Sequence, residues 1–297
     1  MKQYPALSWL VAIITVCALI AAGFGFFTPN HGGTISFATV RGETVKIWGQ
    51  GLYKYDTPIG ATGFTAADMI TLFLAIPILV ISLLLYRRGS LKGGLLLTGA
   101  LAYFLYNYTS MGFGAAYNNL FLAYIFIFSA SLYGLILALL SFDLATLPSH
   151  FGSGLPRMGI GIFLITSGVI LSLIWLMLSI IPALIAGKAP PEAYYYTTFT
   201  TGIIDIGMVA PALILAGVLI RRNLSFGYLL SSTMLIFTCI LGVNLTAGGI
   251  IQVTKDVITI GQAMAFTVPF VILTLIAVWY TILLFRNFSE NSTILKV

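Results

Sequence analysis

Apolar residues do not alternate with polar ones along this chain. They come in long runs, divided by short stretches where arginine, lysine, glycine and proline gather. Eight runs stand out, at about 8–27, 66–86, 94–114, 118–141, 159–186, 203–220, 226–244 and 263–285. A hydrocarbon core about 30 Å thick asks a helix for roughly 20 apolar residues, and the runs are of that order. A membrane-spanning strand would alternate its two faces, which a stretch such as Met69–Tyr86 does not do. The pattern predicts an all-α transmembrane bundle of eight helices, with the lipid bilayer as its solvent.

The first run follows Lys2 and ends near Ala21-Ala22-Gly23, as a secretory signal would. Its apolar part, Leu10–Phe27, exceeds the roughly 7–15 residues of such a signal, so it is read as an uncleaved first helix. With the N-terminus inside, Lys2, Arg87, Arg88, Lys92, Arg157, Arg221, Arg222, Arg286 and Lys296 fall on the cytoplasmic face. Arg41, Lys46, Lys54, Lys188 and Lys255 fall on the other, nine against five of the 14 lysines and arginines. Loops on the cytoplasmic side carry the basic excess, so the expected location is the cell membrane with both termini cytoplasmic.

A second regularity lies over the first. An offset of 134 residues (211 less 77) carries Pro77 onto Pro211, Arg87-Arg88 onto Arg221-Arg222 and Gly93 onto Gly227. Leucine matches such as Leu79 with Leu213 are cheap in so apolar a chain; the proline, doublet and glycine in register are not. The expectation is two tandem parallel four-helix repeats, 1–145 and 146–297, each entering the membrane in the same direction. Pro77 and Pro211 should kink their helices. Residues 28–64 have no counterpart in the second half. Alternation in TISFATV and TVKIW predicts a small extracytoplasmic β-rich loop with strands near Thr34–Val40 and Val45–Trp48. Ile250–Ile260 is expected as an amphipathic segment along the membrane interface.

Composition sharpens this. The 297 residues are 59% hydrophobic and 7% charged, with mean hydropathy +1.05, whereas a soluble domain carries about 25% charged residues. The net charge of +6 sits at helix ends rather than on a patch, which argues against a nucleic-acid partner. Cys17 and Cys239 lie inside apolar runs and make neither a disulfide nor a complete metal site. The run YRRGSLKGGLLLTGALAYFLYNYTSMGFGAAYNNLFLAY, with GVLIRRNLSFGYLL, resembles a group of uncharacterised prokaryotic multi-pass membrane proteins. That resemblance covers about residues 45–140 and 200–235 and carries no activity or site residue with it.

Ionisable residues inside a membrane are expensive and therefore candidates for function. Asp205, sixteen residues before Arg221, should lie just below the outer interface. Asp68 is explained by a capping box, Thr65-Ala66-Ala67-Asp68. Asn107 and Tyr124 stand in a cluster of tyrosines and asparagines on the third and fourth helices, and with Asp205 they form the candidate ligand-binding set. His31 and His150 fall on opposite faces and cannot share a metal, and Gly159 and Gly161 point to close helix packing. No catalytic constellation and no cofactor motif appears, so the chain is not expected to be an enzyme. The expectation is a transporter-like or small-molecule/lipid-binding membrane protein, with a small neutral or lipid-like ligand at the seam of the two repeats. The alternative is a non-catalytic scaffold, sensor or assembly partner that binds another protein through residues 28–64.

Overall fold

The computed structural model describes residues 1–29, 32–190 and 193–291; His31 and Lys296 lie outside them. The chain is mostly helical: α1 (Pro5–Phe27), α2 (Pro58–Arg87), α3 (Leu91–Gly114), α4 (Phe121–Leu140), α5 (Arg157–Ala186), α6 (Thr200–Arg221), α7 (Ser225–Thr254) and α8 (Ile260–Arg286). All except α3 are long and apolar enough to cross a bilayer. α3 spans 24 residues but carries Tyr103, Tyr106, Asn107 and Tyr108, all of them buried. It packs against α2, α4 and α7, and a helix screened from lipid in this way need not be apolar.

Two boundaries differ from the sequence expectation. α2 begins at Pro58 rather than near residue 66, because Thr57 caps it: its Oγ1 accepts the Gly60 N–H at 3.0 Å, and Pro58 fills the first turn. Thr65 is therefore no cap; mid-helix, its hydroxyl donates to the Ala61 carbonyl, and the capping-box explanation of Asp68 falls. α7 runs on to Thr254 instead of giving way to an interfacial segment over Ile250–Ile260. Gly248 and Gly249 read as a loop by propensity. In the fold a Cβ on Gly249 would strike the Thr267 hydroxyl of α8, so tight packing overrides propensity there.

Three helices contain a five-residue π-turn, each followed two residues later by proline: Thr71–Ala75 before Pro77, Leu176–Ile180 before Pro182, and Asp205–Val209 before Pro211. In each, the N–H just before the proline reaches back five residues, Ile76 to Thr71, Ile181 to Leu176 and Ala210 to Asp205. Proline lacks an N–H and crowds the preceding turn, and the wider turn relieves both. The 134-residue offset carries the first π-turn onto the third, the end of α2 onto the end of α6, and the start of α3 onto that of α7. It also carries Gly93, whose Cβ would meet the Leu85 and Tyr86 backbone, onto Gly227, whose Cβ would meet that of Leu219 and Ile220.

The loops sort to two ends. At the arginine end, Lys2 N–H donates to Ser141 O, Gln3 reaches Arg87 O, Glu290 binds the start of α3, and Gly152 N–H donates to Asn287 O. At the other end, β1 (Ile35–Ala38) pairs antiparallel with β2 (Thr44–Ile47), Ile35 opposite Ile47. There Arg41 donates to the carbonyls of Tyr194 and Tyr196, Asp56 accepts from Ala116, and Val257 packs on Trp48 and Tyr53. Consecutive helices therefore run antiparallel.

One continuous core threads the bundle. α1 packs on α2 and α4, α7 bridges α2, α3, α6 and α8, and α5 lies on α6. The α5–α6 contact is backbone to backbone: a Cβ on Gly161 would stand 2.7 Å from Gly217 O, and one on Gly217 would stand 2.5 Å from Gly161 O. Small residues permit such approach, so Gly161 is a packing residue.

Candidate functional site

Asp68 sits on α2 one turn before its π-turn, and its side chain is completely buried. Gly25 of α1 makes room for it, since a Cβ there would collide with Asp68 Oδ2. Tyr53, from the segment between β2 and α2, donates its hydroxyl to the same oxygen at 2.6 Å. Asp68 Oδ1 has no partner. Around it stand Thr71 at the head of the π-turn, Tyr103 and Tyr108 of α3, and Tyr124 of α4. All three tyrosines lie within electrostatic reach of the Asp68 charge. Thr71 neighbours Tyr103 and Tyr108, and the Tyr108 and Tyr124 rings lie 6.0 Å apart. None of the four hydroxyls completes a hydrogen bond of good geometry, although Thr71 stands close enough to Tyr103 and Tyr108, and Tyr53 and Asn118 to Tyr124, to interact with them; Asp68 Oδ1 has no partner of either kind.

Five buried, unpaired polar atoms in one place are unusual. Natural interiors leave only a few per hundred residues, and each unpaired group costs about 1–3 kcal/mol. Among the described residues no basic side chain meets Asp68, and Tyr53 is the polar group that acts on it. The arrangement is a buried, oxygen-rich cluster with one acidic group and, among the described residues, no built-in counter-charge.

A second buried acid, Asp56, stands beside the sheet end, where its carbonyl accepts the Trp48 N–H. Asp56 Oδ1 accepts the Ala116 N–H and the Tyr196 hydroxyl, each at 2.7 Å, while Oδ2 is unpaired. Burial pushes its carboxyl up to about 6, against the pull of those two hydrogen bonds. The Asp56 charge also reaches Tyr124, which thus faces both acids. Tyr195 donates to Tyr55 O, closing the loops over this layer.

The residues singled out from sequence divide into two groups. Asp205 opens the π-turn of α6 and has both oxygens satisfied, by Tyr106 of α3 at 3.0 Å and Trp175 of α5 at 2.8 Å. That makes it a tie between three helices. Tyr124 belongs instead with Tyr108, Tyr53 and Asp68. Asn107 is buried with its amide nitrogen unpaired. Tyr106 and Tyr103 interact, so the two groups adjoin across α3.

Elsewhere the polar groups are structural. His150 Nδ1 lies 2.8 Å from Ser289 O and its ring stacks on Phe288. Among the described residues no three His, Cys, Asp or Glu converge as metal ligands. A cleft of about 250 Å³ lies between α7 and α8 and one of about 440 Å³ follows the end of α1; their walls, such as Val243, Val271, Leu19 and Phe24, are mostly apolar.

Tyr53, Gly25 and Thr71 gave no sign in the sequence of belonging to a site. Asp68 did: once Thr57-Pro58 is taken as the helix start, an acid ten residues into a long apolar run needs a reason. No protein-family model, curated protein or solved structure matches the chain.

Proposed function

We propose that this chain is a multi-pass cell-membrane protein, with both termini cytoplasmic, that binds a small solute in its interior and acts as a carrier or a solute-responsive receptor. The observation that carries this reading is the set of unpaired oxygens around Asp68. A protein that only anchored itself would gain by replacing them with apolar side chains of similar shape. Two tandem four-helix halves, 1–145 and 146–297, are the architecture we infer, supported by the matched π-turns, helix ends and glycine contacts under one offset. The halves are not equal in chemistry. The offset sets Gly202 opposite Asp68, Phe237 opposite Tyr103 and Gly242 opposite Tyr108, so the solute site belongs to the first half alone. Asp205, Tyr106 and Trp175 lie at the seam and join the halves.

Site entry is the decisive property. With Cys17 and Cys239 replaced by serine, Thr71→Cys should react with a small water-soluble thiol reagent in the folded protein. A thiol that stays unmodified until the protein is denatured would mean a dry, permanently closed interior and would remove the binding reading.

One observation favours the scaffold alternative: β1 exposes every residue, Ile35 and Phe37 among them, and Val40 just beyond it is exposed as well. Isolated apolar residues on a loop are ordinary, but a short exposed strand offers an edge to a protein partner. Phe37→Ser with Val40→Ser would abolish a scaffold function and leave solute binding intact.

A further inference from the structure

We propose that the buried oxygen cluster at Asp68 is a binding site for a monovalent inorganic cation of the sodium class, coordinated by Asp68 Oδ1 and the surrounding hydroxyl oxygens. The inference rests on the binding reading above and names its ligand.

Charge comes first. A carboxylate fully enclosed by helices is costly unless neutralised, and among the described residues no lysine, arginine or histidine does this at Asp68. A neutral or lipid-like solute, the ligand class expected while Asp68 passed for a helix cap, would leave the charge uncompensated. A proton on Oδ1 would cancel it, but one O–H satisfies one acceptor and leaves most of the hydroxyls of Thr71, Tyr103, Tyr108 and Tyr124 as they are. A cation takes lone pairs from several oxygens at once and answers charge and unpaired atoms together.

The donor set selects the kind of cation. All five unpaired atoms are oxygens, which suits a hard ion and disfavours those that prefer thiolate or imidazole. Calcium and magnesium sites lean on carboxylates and backbone carbonyls, commonly with more than one acid in the shell, whereas this pocket supplies one negative charge. A single positive charge matches it. The hydrogen bond from Tyr53 engages Oδ2 and fixes the carboxylate, leaving Oδ1 without a partner. Asp56, with its own unpaired oxygen, is a second acid whose charge reaches Tyr124 as that of Asp68 does.

The test uses the purified full-length protein in detergent at alkaline pH, with choline chloride replaced by sodium, lithium or potassium chloride at constant ionic strength. The expected result is a saturable, ion-selective rise in Tm that is absent for choline, as binding to the folded state alone requires. Asp68→Asn should lose the rise; Tyr108→Phe should raise the half-saturating concentration about tenfold, the loss of one oxygen contact. Asp205→Asn should keep the response. Should Asp68→Asn fail to fold, Tyr108→Phe and Tyr124→Phe decide, and unchanged half-saturation in both overturns the proposal. If no ion acts but acidification stabilises the wild type and not Asp68→Asn, the ligand is a proton and the proposal is wrong. If neither acts, the hydroxyls are packing and it is wrong again. Thr71→Cys labelling read alongside separates the two levels: a reactive thiol with no ion effect leaves solute binding standing and removes only the cation.

Discussion

Trp175 donates its indole N–H to Asp205 across 2.8 Å, and this bond joins the π-turn of α6 to the residue just before the π-turn of α5. With Tyr106 on the other oxygen, each carboxylate oxygen has a donor. Trp175→Phe should lower stability by about 1–3 kcal/mol, because a buried acceptor loses its donor. Asp205→Asn should be milder: the amide can turn its oxygen to Trp175 and its nitrogen to the Tyr106 hydroxyl. Thermal denaturation of the two variants checks the order. A larger loss for Asp205→Asn would mean that the charge itself matters.

Asp56 predicts a pH dependence with a definite sign. Its folded carboxyl is raised by burial to about 6, above the 3.8 of an ordinary aspartate, so the folded state holds the proton more tightly. Its contribution is then fully present below about pH 3.8 and is lost as pH rises to about 6, a span of roughly 3 kcal/mol at 1.36 per unit. Tm measured from pH 4 to 7 should fall through that window. In Asp56→Asn this part of the slope should vanish. A slope that persists unchanged would assign it to another group.

Glu290 closes the arginine end by accepting from the Ser90 hydroxyl and from the N–H groups of Leu91 and Lys92, and these bonds hold its carboxyl below the usual range despite partial burial. The C-terminal segment thus caps α3, a helix whose first turn offers N–H groups in need of acceptors. Its stabilisation is present above the ordinary glutamate pKa and is lost as pH falls through the depressed one. Glu290→Ala should speed amide exchange at residues 91–93 and leave the middle of α3 unchanged. Equal protection in both proteins would show the cap to be unimportant.

Glycine substitutions separate packing from composition. Gly217→Ala puts a methyl 2.5 Å from Gly161 O and should cost about 1–3 kcal/mol as α5 and α6 are forced apart. Gly207→Ala, with nothing within 4 Å, should be neutral or slightly stabilising. Comparable Tm losses in both would contradict the contact.

Orientation in the membrane is open to a direct measurement. Gln50→Cys and Arg222→Cys, introduced separately into the chain lacking Cys17 and Cys239, should be labelled from opposite sides of sealed vesicles, with Arg222→Cys on the cytoplasmic side. Labelling from one side would refute the arrangement.

Much of the bundle could be read from sequence because bilayer thickness dictates run length, and both β-strands were visible in alternation over residues 34–48. The helix ends at Pro58 and Thr254 were not: a polar first turn and a Gly-Gly pair look like loop until tertiary contacts are known. The pocket was hidden for a related reason. Asp68 was misread as a cap because the true cap, Thr57, lies eleven residues earlier, and Tyr53 reaches it from a segment with no periodicity. Asp205 looked the more exposed to function because it lacked an evident local partner. Trp175, thirty residues away, supplies one that spacing alone could not reveal.

Each π-turn holds one residue more than the α-helical ladder needs, and that surplus has a rotational meaning. One residue corresponds to about 100° around a helix axis, so the stretch of α2 after Ala75 points its side chains to a different quarter than an uninterrupted helix would. A helical wheel drawn straight through Thr71–Ala75 is therefore out of phase on one side of the turn. Deleting a single residue there would leave composition and length nearly untouched, yet it would swing Asp68 and everything before it away from Tyr103, Tyr108 and Tyr124 while Tyr86 and the arginine end stayed in place. The pocket depends on a count of residues as much as on their kinds.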